Sequence, residues 1–108
     1  MASNRVASRY AKALLGFASE RNELDLVESE LRTISSLIAE SREFELLLTS
    51  PVVKPNKKKD VLKAIFKDSL SDLTFGFINI LVTKGRESIL PTLVAEALSQ
   101  LRLLKNIQ

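Results

Sequence analysis

Apolar residues recur at alternating three- and four-residue steps along most of this chain, and that period constrains its fold more than any other feature. Leu24, Val27, Leu31, Ile34 and Ile38 show it most plainly. Such a step places side chains on one face of an α-helix. With only three Gly and three Pro among 108 residues, the chain lacks the turn residues that an all-β protein uses at each reversal. The expected fold is all-α, a compact bundle of about six helices joined by short connections. A hydrophobic content of 45% supports one core in a chain of this size, so residues 1–108 are read as a single domain.

The punctuation between apolar runs sets the expected boundaries. A first helix runs from Ser3 to Ser19 and breaks at Arg21-Asn22. A second carries Leu24 to Ile38 with an apolar arc of about 140°, ordinary for a helix with one buried face. A third, Arg42 to Thr49, stops at Ser50-Pro51, because the residue before proline is pushed out of the α region. Asn56 is the expected N-cap of a fourth helix with Val61, Leu62, Ile65 and Phe66 inward. Ser71 caps a fifth and Gly85 ends it. The sixth starts near Glu87, accepts Pro91 in its first turn, and carries Leu90, Leu93, Val94, Ala97, Leu101 and Leu104.

Two of these helices hold more apolar surface than a core contact needs. In RVASRYAKALLGFASE, residues 5–20, Val6, Tyr10, Ala13 and Phe17 form one stripe and Ala7, Ala11, Leu14, Leu15 and Ala18 another. The stripes lie about 110° apart and together span roughly 200°. In LTFGFINILVTK, residues 73–84, Leu73, Phe77, Ile80 and Leu81 oppose Phe75, Ile78 and Val82, over an arc of about 220°. If the first and fifth helices lie side by side, their spare stripes form a groove for an amphipathic helix with anchors at i, i+3/i+4 and i+7. The competing reading is that a central helix is apolar all round because neighbours surround it. Tyr10 tilts towards the groove, since a phenol keeps its hydroxyl near water or a partner.

Chemistry finds little to work with. The chain has no Cys and no His, which removes disulfides, thiolate and imidazole metal ligands, and Cys/His or Ser/His catalysis. Glu20, Glu23, Asp25, Glu28 and Glu30 fall mostly on outer helix faces, with no pair marked for acid–base work. No catalytic, cofactor or metal site is expected, and the chain is not read as an enzyme. KPNKKKD, residues 54–60, reads as a solvated helix start; Lys57, Lys58 and Lys59 contacting nucleic acid or anionic lipid is the alternative. The formal charge of +3 is mild, and the five Phe occupy apolar positions, so nucleic acid is not an expected partner. Lys84-Gly85-Arg86-Glu87 is explained as a helix stop and restart, with Arg86 pairing locally or reaching a neighbouring helix. No apolar run approaches the roughly 18–20 residues that span a bilayer. The start MASNR lacks a secretory h-region, so an intracellular protein is expected.

The pieces together resemble a family. Ala7-Ser8-Arg9-Tyr10-Ala11-Lys12-Ala13-Leu14 is similar to the A-x-x-Y-A-x-A-L opening of the ATP synthase delta subunit, whose mitochondrial counterpart is the oligomycin-sensitivity-conferral protein. The likeness continues through Leu48-Thr49-Ser50-Pro51, the lysine-rich start of the fourth helix, Ile65-Phe66, Asn79-Ile80-Leu81 and Gly85-Arg86. It implies a six-helix N-terminal domain in a peripheral-stalk (stator) component, with a groove that receives the N-terminal helix of an alpha subunit. Carried onto this sequence, the implied contacts are Val6, Tyr10, Ala13, Phe17, Phe77, Ile78, Ile80, Leu81 and Lys84. It also implies no cofactor, a monomeric isolated domain, and a place at the cytoplasmic face of a bacterial membrane, held there through the complex. The family's chain continues into a smaller C-terminal domain that meets the b subunit. This sequence stops at Leu104-Lys105-Asn106-Ile107-Gln108, so it is expected to correspond to the N-terminal domain alone. An unrelated helical adaptor for another amphipathic peptide remains the rival.

Overall fold

The computed structural model describes residues 2–106, with side chains from Arg5 to Lys105. Six α-helices account for most of them: α1 Ala2–Glu20, α2 Leu24–Glu40, α3 Arg42–Thr49, α4 Pro55–Phe66, α5 Asp72–Thr83 and α6 Leu90–Asn106. There is no strand among the described residues. A 3-10 turn at Glu87–Ile89 leads into α6, so the sixth helix proper starts later than Glu87, with Pro91 in its first turn as expected.

Local chemistry sets these ends. Helices α1 and α5 both close with paired backbone bonds around a left-handed residue. Asn22 (φ 59°) follows α1, where Glu23 N donates to Ala18 O and Asn22 N to Ser19 O. Gly85 (φ 69°) follows α5, where Arg86 N donates to Leu81 O and Gly85 N to Val82 O. These bonds satisfy carbonyls that a helix end otherwise orphans. Ser41 serves two helices. Its N–H donates to Leu37 O and its Oγ accepts from Phe44 N. The expected cap at Asn56 is displaced: α4 starts at Pro55, and Lys54 precedes it without a side-chain cap. Proline at the first helical position has its φ preset and no N–H to satisfy, which moves the cap from Asn56 to Lys54 and the start two residues earlier.

The core gathers Ala7, Ala11, Leu14 and Ala18 of α1, Val27, Leu31 and Ile34 of α2, and Leu93, Val94, Ala97 and Leu101 of α6. Helix α1 packs chiefly on α6, with Gln100 Nε2 donating to Ser8 O at 3.3 Å. Phe44 and Phe66 meet edge to face at 5.8 Å, joining α3 to α4.

Two charged side chains lie inside, against expectation. Glu30 is 5% exposed and Lys58 only 3%, so Glu30 is not on an outer face and the lysine run is not wholly solvated. Lys58 Nζ pairs with Glu87 and also donates to Leu48 O at 3.4 Å, a carbonyl at the end of α3. Its aliphatic stem fills the core position one turn before Leu62. With Lys58 withdrawn, the proposed cluster of three surface lysines loses its central member.

Candidate functional site

Helices α1 and α5 lie side by side and antiparallel, as the pairing of their residues shows. At one end Arg21 stands beside Asp72, in the middle Phe17 meets Phe77, and at the far end Tyr10 meets Arg86. From Tyr10 to Arg21 the seam runs about 16 Å, three helical turns.

The two stripes of α1 part cleanly. Ala7, Ala11, Leu14, Leu15 and Ala18 are all buried. Val6 and Tyr10 are half-buried, Ala13 is exposed, and Phe17 is 50% exposed. Helix α5 divides differently from either stripe read on the wheel. Phe77 is half-buried and Ile80 is 43% exposed, whereas Ile78 and Leu81 are in the core at 2% and 1%. These last two, expected at the groove, are core residues and do not line it. Lys84 is exposed at the end of α5.

Between the helices lies a depression of about 250 Å³, bounded by Phe17 and Arg21 on one side and by Asp72, Gly76, Phe77 and Ile80 on the other. The rings of Phe17 and Phe77 pack edge to face with centroids 6.2 Å apart. Gly76 carries particular weight. A side chain built there meets nothing within 4 Å, so no neighbour requires a glycine. Glycine inside a helix nevertheless costs about 0.5–1 kcal/mol relative to alanine. The missing side chain leaves the groove open.

The far mouth is polar. Arg86 Nη1 donates to the Tyr10 hydroxyl at 3.0 Å, and its guanidinium sits 5.9 Å from the ring centroid. Arg86 reaches a neighbouring helix as expected, and the phenol finds its partner within the chain, so it no longer argues for the groove.

Sequence reasoning missed what anchors α5. The buried Glu30 carboxylate of α2 accepts from Thr74 Oγ1 at 2.6 Å, from Ser71 Oγ at 2.9 Å and from the Ser71 amide. Ser71 is also the N-cap of α5, its Oγ accepting from Thr74 N. A carboxylate at a helix N-terminus meets orphan donors and the positive end of the dipole together. A signal was present, since Glu30 is three residues after Val27 and four before Ile34, in phase with the apolar stripe.

A second apolar depression, about 440 Å³, lies beside Leu15 and Gly16 of α1 and Leu103 and Leu104 of α6. Leu104, expected inward, is 51% exposed.

The molecule is thus an all-α bundle with a shallow, largely apolar depression between the C-terminal turns of α1 and the face of α5. Residues 6–108 match the family model for the ATP synthase delta (OSCP) subunit, and the chain belongs to that family. It is 41% identical over 96 residues to the ATP synthase subunit delta of Desulforamulus reducens, covering 89% of this chain and 53% of that protein. With the Christiangramia forsetii subunit delta the identity is 39% over the whole chain and 58% of the relative. The chain thus spans a little over half the length of these relatives. Among solved structures, a chain of the Toxoplasma gondii mitochondrial ATP synthase hexamer superposes with TM-score 0.79 at 30% identity, over 83% of this chain and 51% of that one. A chain of the Polytomella F-ATP synthase gives 0.79 at 26% identity, over 90% and 85%. No helix among the described residues is long and apolar enough to cross a membrane.

Proposed function

We propose that this chain is the N-terminal helical domain of a stator subunit, tying the catalytic head of an F-type ATP synthase to its peripheral stalk, and that the α1–α5 groove receives the amphipathic N-terminal helix of an alpha subunit. The observation that carries this reading is the unfilled apolar trough: Phe17 and Ile80 half exposed beside Gly76, whose absent side chain no neighbour requires. Family membership supports a partner within the ATP synthase complex.

The role needs no bond chemistry. A docked helix sets apolar anchors against Val6, Tyr10, Ala13 and Phe17 on one wall and Phe77 and Ile80 on the other, with Ile78 and Leu81 beneath and Lys84 at the mouth. Ala13 matters because a methyl group lets the incoming backbone approach closely. Holding the head against rotor torque requires slow dissociation, and apolar burial meets that need with little sensitivity to salt. The subunit sits at the cytoplasmic face of the membrane, held there through the complex, and the b subunit meets a further C-terminal domain.

Calorimetric titration of the domain with a peptide of the alpha-subunit N-terminal helix tests this directly. The expected result is one-to-one binding with a negative heat-capacity change, similar at low and high salt, and abolished by Ala13→Asp in a domain of unchanged helicity. A folded domain that ignores this peptide but takes other amphipathic helices would make it a general adaptor instead.

A further inference from the structure

Of the two apolar depressions beside α1, the one against α6 is the larger, at about 440 Å³. Buried Leu15 lines it together with exposed Gly16, Leu103 and Leu104, and Lys12, Ser19 and Gln100 complete its rim. Leu103 is 65% exposed, the most of any leucine among the described residues. A side chain built at Gly16 meets nothing within 4 Å, so this glycine weakens the middle of α1 without any neighbour requiring it. Fraying of α6 does not account for the exposed leucines. Lys105, the next residue, is held by Glu28 and Asp25 of α2. The last turns of α6 are therefore tied to α2 on one side and turn two leucines outward on the other, where α1 leaves room beside them.

We propose that in the full-length subunit this depression is covered by the subunit's own continuation: an apolar segment that follows α6, turns back and packs on Leu15, Gly16, Leu103 and Leu104. The inference rests on reading the chain as the first domain of a longer subunit, and is independent of what enters the α1–α5 groove. The matched part is 53% of one relative and 58% of another, so each has a comparable length of chain beyond it. Leu103 and Leu104 lie in the last turn of α6, which runs to Asn106, and connections between packed helices commonly take about 2–8 residues. An element following α6 is thus returned to this place by one short turn. Tethering also favours it over a free partner. A short connection holds the segment at about millimolar effective concentration, and closing the loop costs little. A modest apolar area then suffices, whereas a separate chain must first offset the loss of its own translational and rotational freedom.

The test uses the absence of cysteine from residues 1–108. Ser19→Cys sets a thiol on the rim with almost no change in size, and Leu46→Cys, on the exposed face of α3, is the reference. Maleimide labelling rates are compared between residues 1–108 and the full-length subunit, with any later cysteine replaced by serine and no other subunit present. The Ser19→Cys thiol should react at least about tenfold more slowly in the full-length subunit, with the reference unchanged. Adding Leu103→Asn with Leu104→Asn should restore its rate there and leave residues 1–108 folded, since both side chains are largely in water in that chain. Equal rates in the two chains overturn the proposal and leave the α1–α5 reading untouched. Slowing that appears only when the alpha-subunit peptide or the assembled head is added gives the depression to another subunit and overturns it equally. Slowing that survives the double asparagine variant overturns the assigned contact with α6.

Discussion

Helix α1 makes two seams that differ in kind. Towards the core and α6 it presents Ala7, Ala11, Leu14 and Ala18, all fully buried, and Gln100 bonds back to Ser8. Small side chains let the backbones come close at these positions, and the apolar depression on this side opens only beyond them, beside Leu15, Gly16, Leu103 and Leu104. Towards α5 it presents Tyr10 to Arg86 and Phe17 to Phe77, and the space over Gly76 stays empty. Both seams are apolar, so hydrophobicity does not distinguish them. At its core positions the α1–α6 seam satisfies its surface within the chain, whereas the α1–α5 seam holds Phe17 and Ile80 half exposed beside a glycine with open space over it. Under the proposed function this open surface is the one that a partner helix covers.

The largest effect should come from the α1–α6 seam. Leu14→Ala removes a fully buried side chain and should cost about 3 kcal/mol, within the usual 2–5 for such truncations. Phe17→Ala, three residues on but half exposed, should cost about 1 kcal/mol or less, because much of its surface is already in water. Urea unfolding of both variants reads the contrast. Equal losses would mean that the rim residue is core after all. Peptide affinity should rank them in the opposite order.

Next in size is the clasp that fixes one wall of the α1–α5 seam. Glu30→Ala strands the Ser71 and Thr74 donors at the buried start of α5 and should cost about 2 kcal/mol. Glu30→Gln, with one acceptor oxygen left and no charge, should fall between. Amide exchange should report the loss first at the α5 N-terminus. If exchange instead rises uniformly, Glu30 holds the whole domain rather than one wall of the groove.

These two seams were unequally legible in the sequence. Ser71, Gly85 and the Ser50-Pro51 stop could be read because capping and proline sterics act within a few residues. Asn56 misled because Pro55 beside it is the stronger start signal. Apolar phase separated the two stripes of α1 correctly. It failed on α5, where apolar side chains cover so much of the wheel that only the actual neighbours decide which are inside. Ile78 and Leu81 went inward on that account, leaving Phe77 and Ile80 at the rim. Glu30 and Lys58 looked like surface charges by type, although both sit in phase with buried residues on their helices. Position outweighs residue type when a partner 29 or 41 residues away supplies the missing bond.

A smaller change should have the opposite sign. Gly76→Ala keeps the helix and meets no neighbour, so it should stabilise the isolated domain by about 0.5–1 kcal/mol. The same methyl projects into the trough and should weaken peptide binding. A thermal scan beside a titration would show both. Stabilisation with unchanged binding would place the docked helix away from Gly76 and narrow the groove to its Tyr10 half.

The smallest effect belongs to an ion cluster on the α2–α6 side of the molecule, where Lys105 of α6 reaches Glu28 and, at 3.0 Å, Asp25 of α2. The hydrogen bond from Lys105, and then that from Arg32, hold the Glu28 carboxyl below its ordinary 4.5. Glu28, and then Asp25, raise Lys105 above 10.5. A lowered carboxyl contributes stability that is present above its unfolded value and lost as pH falls through the folded one. A raised amine contributes stability that is complete below its unfolded value and lost as pH rises through the folded one. The cluster should therefore be fully effective between these limits, fading below pH 4.5 on the acid side and above 10.5 on the alkaline side. Its groups are open to solvent, so the contribution is small and screened by salt. Urea midpoints of the parent and Lys105→Ala, followed at low salt from neutral pH to well below 4.5, should converge as the pH drops. A gap that persists undiminished in acid would instead assign the effect to packing of the Lys105 stem, and the α2–α6 contact would then be apolar like the α1–α6 seam beside it.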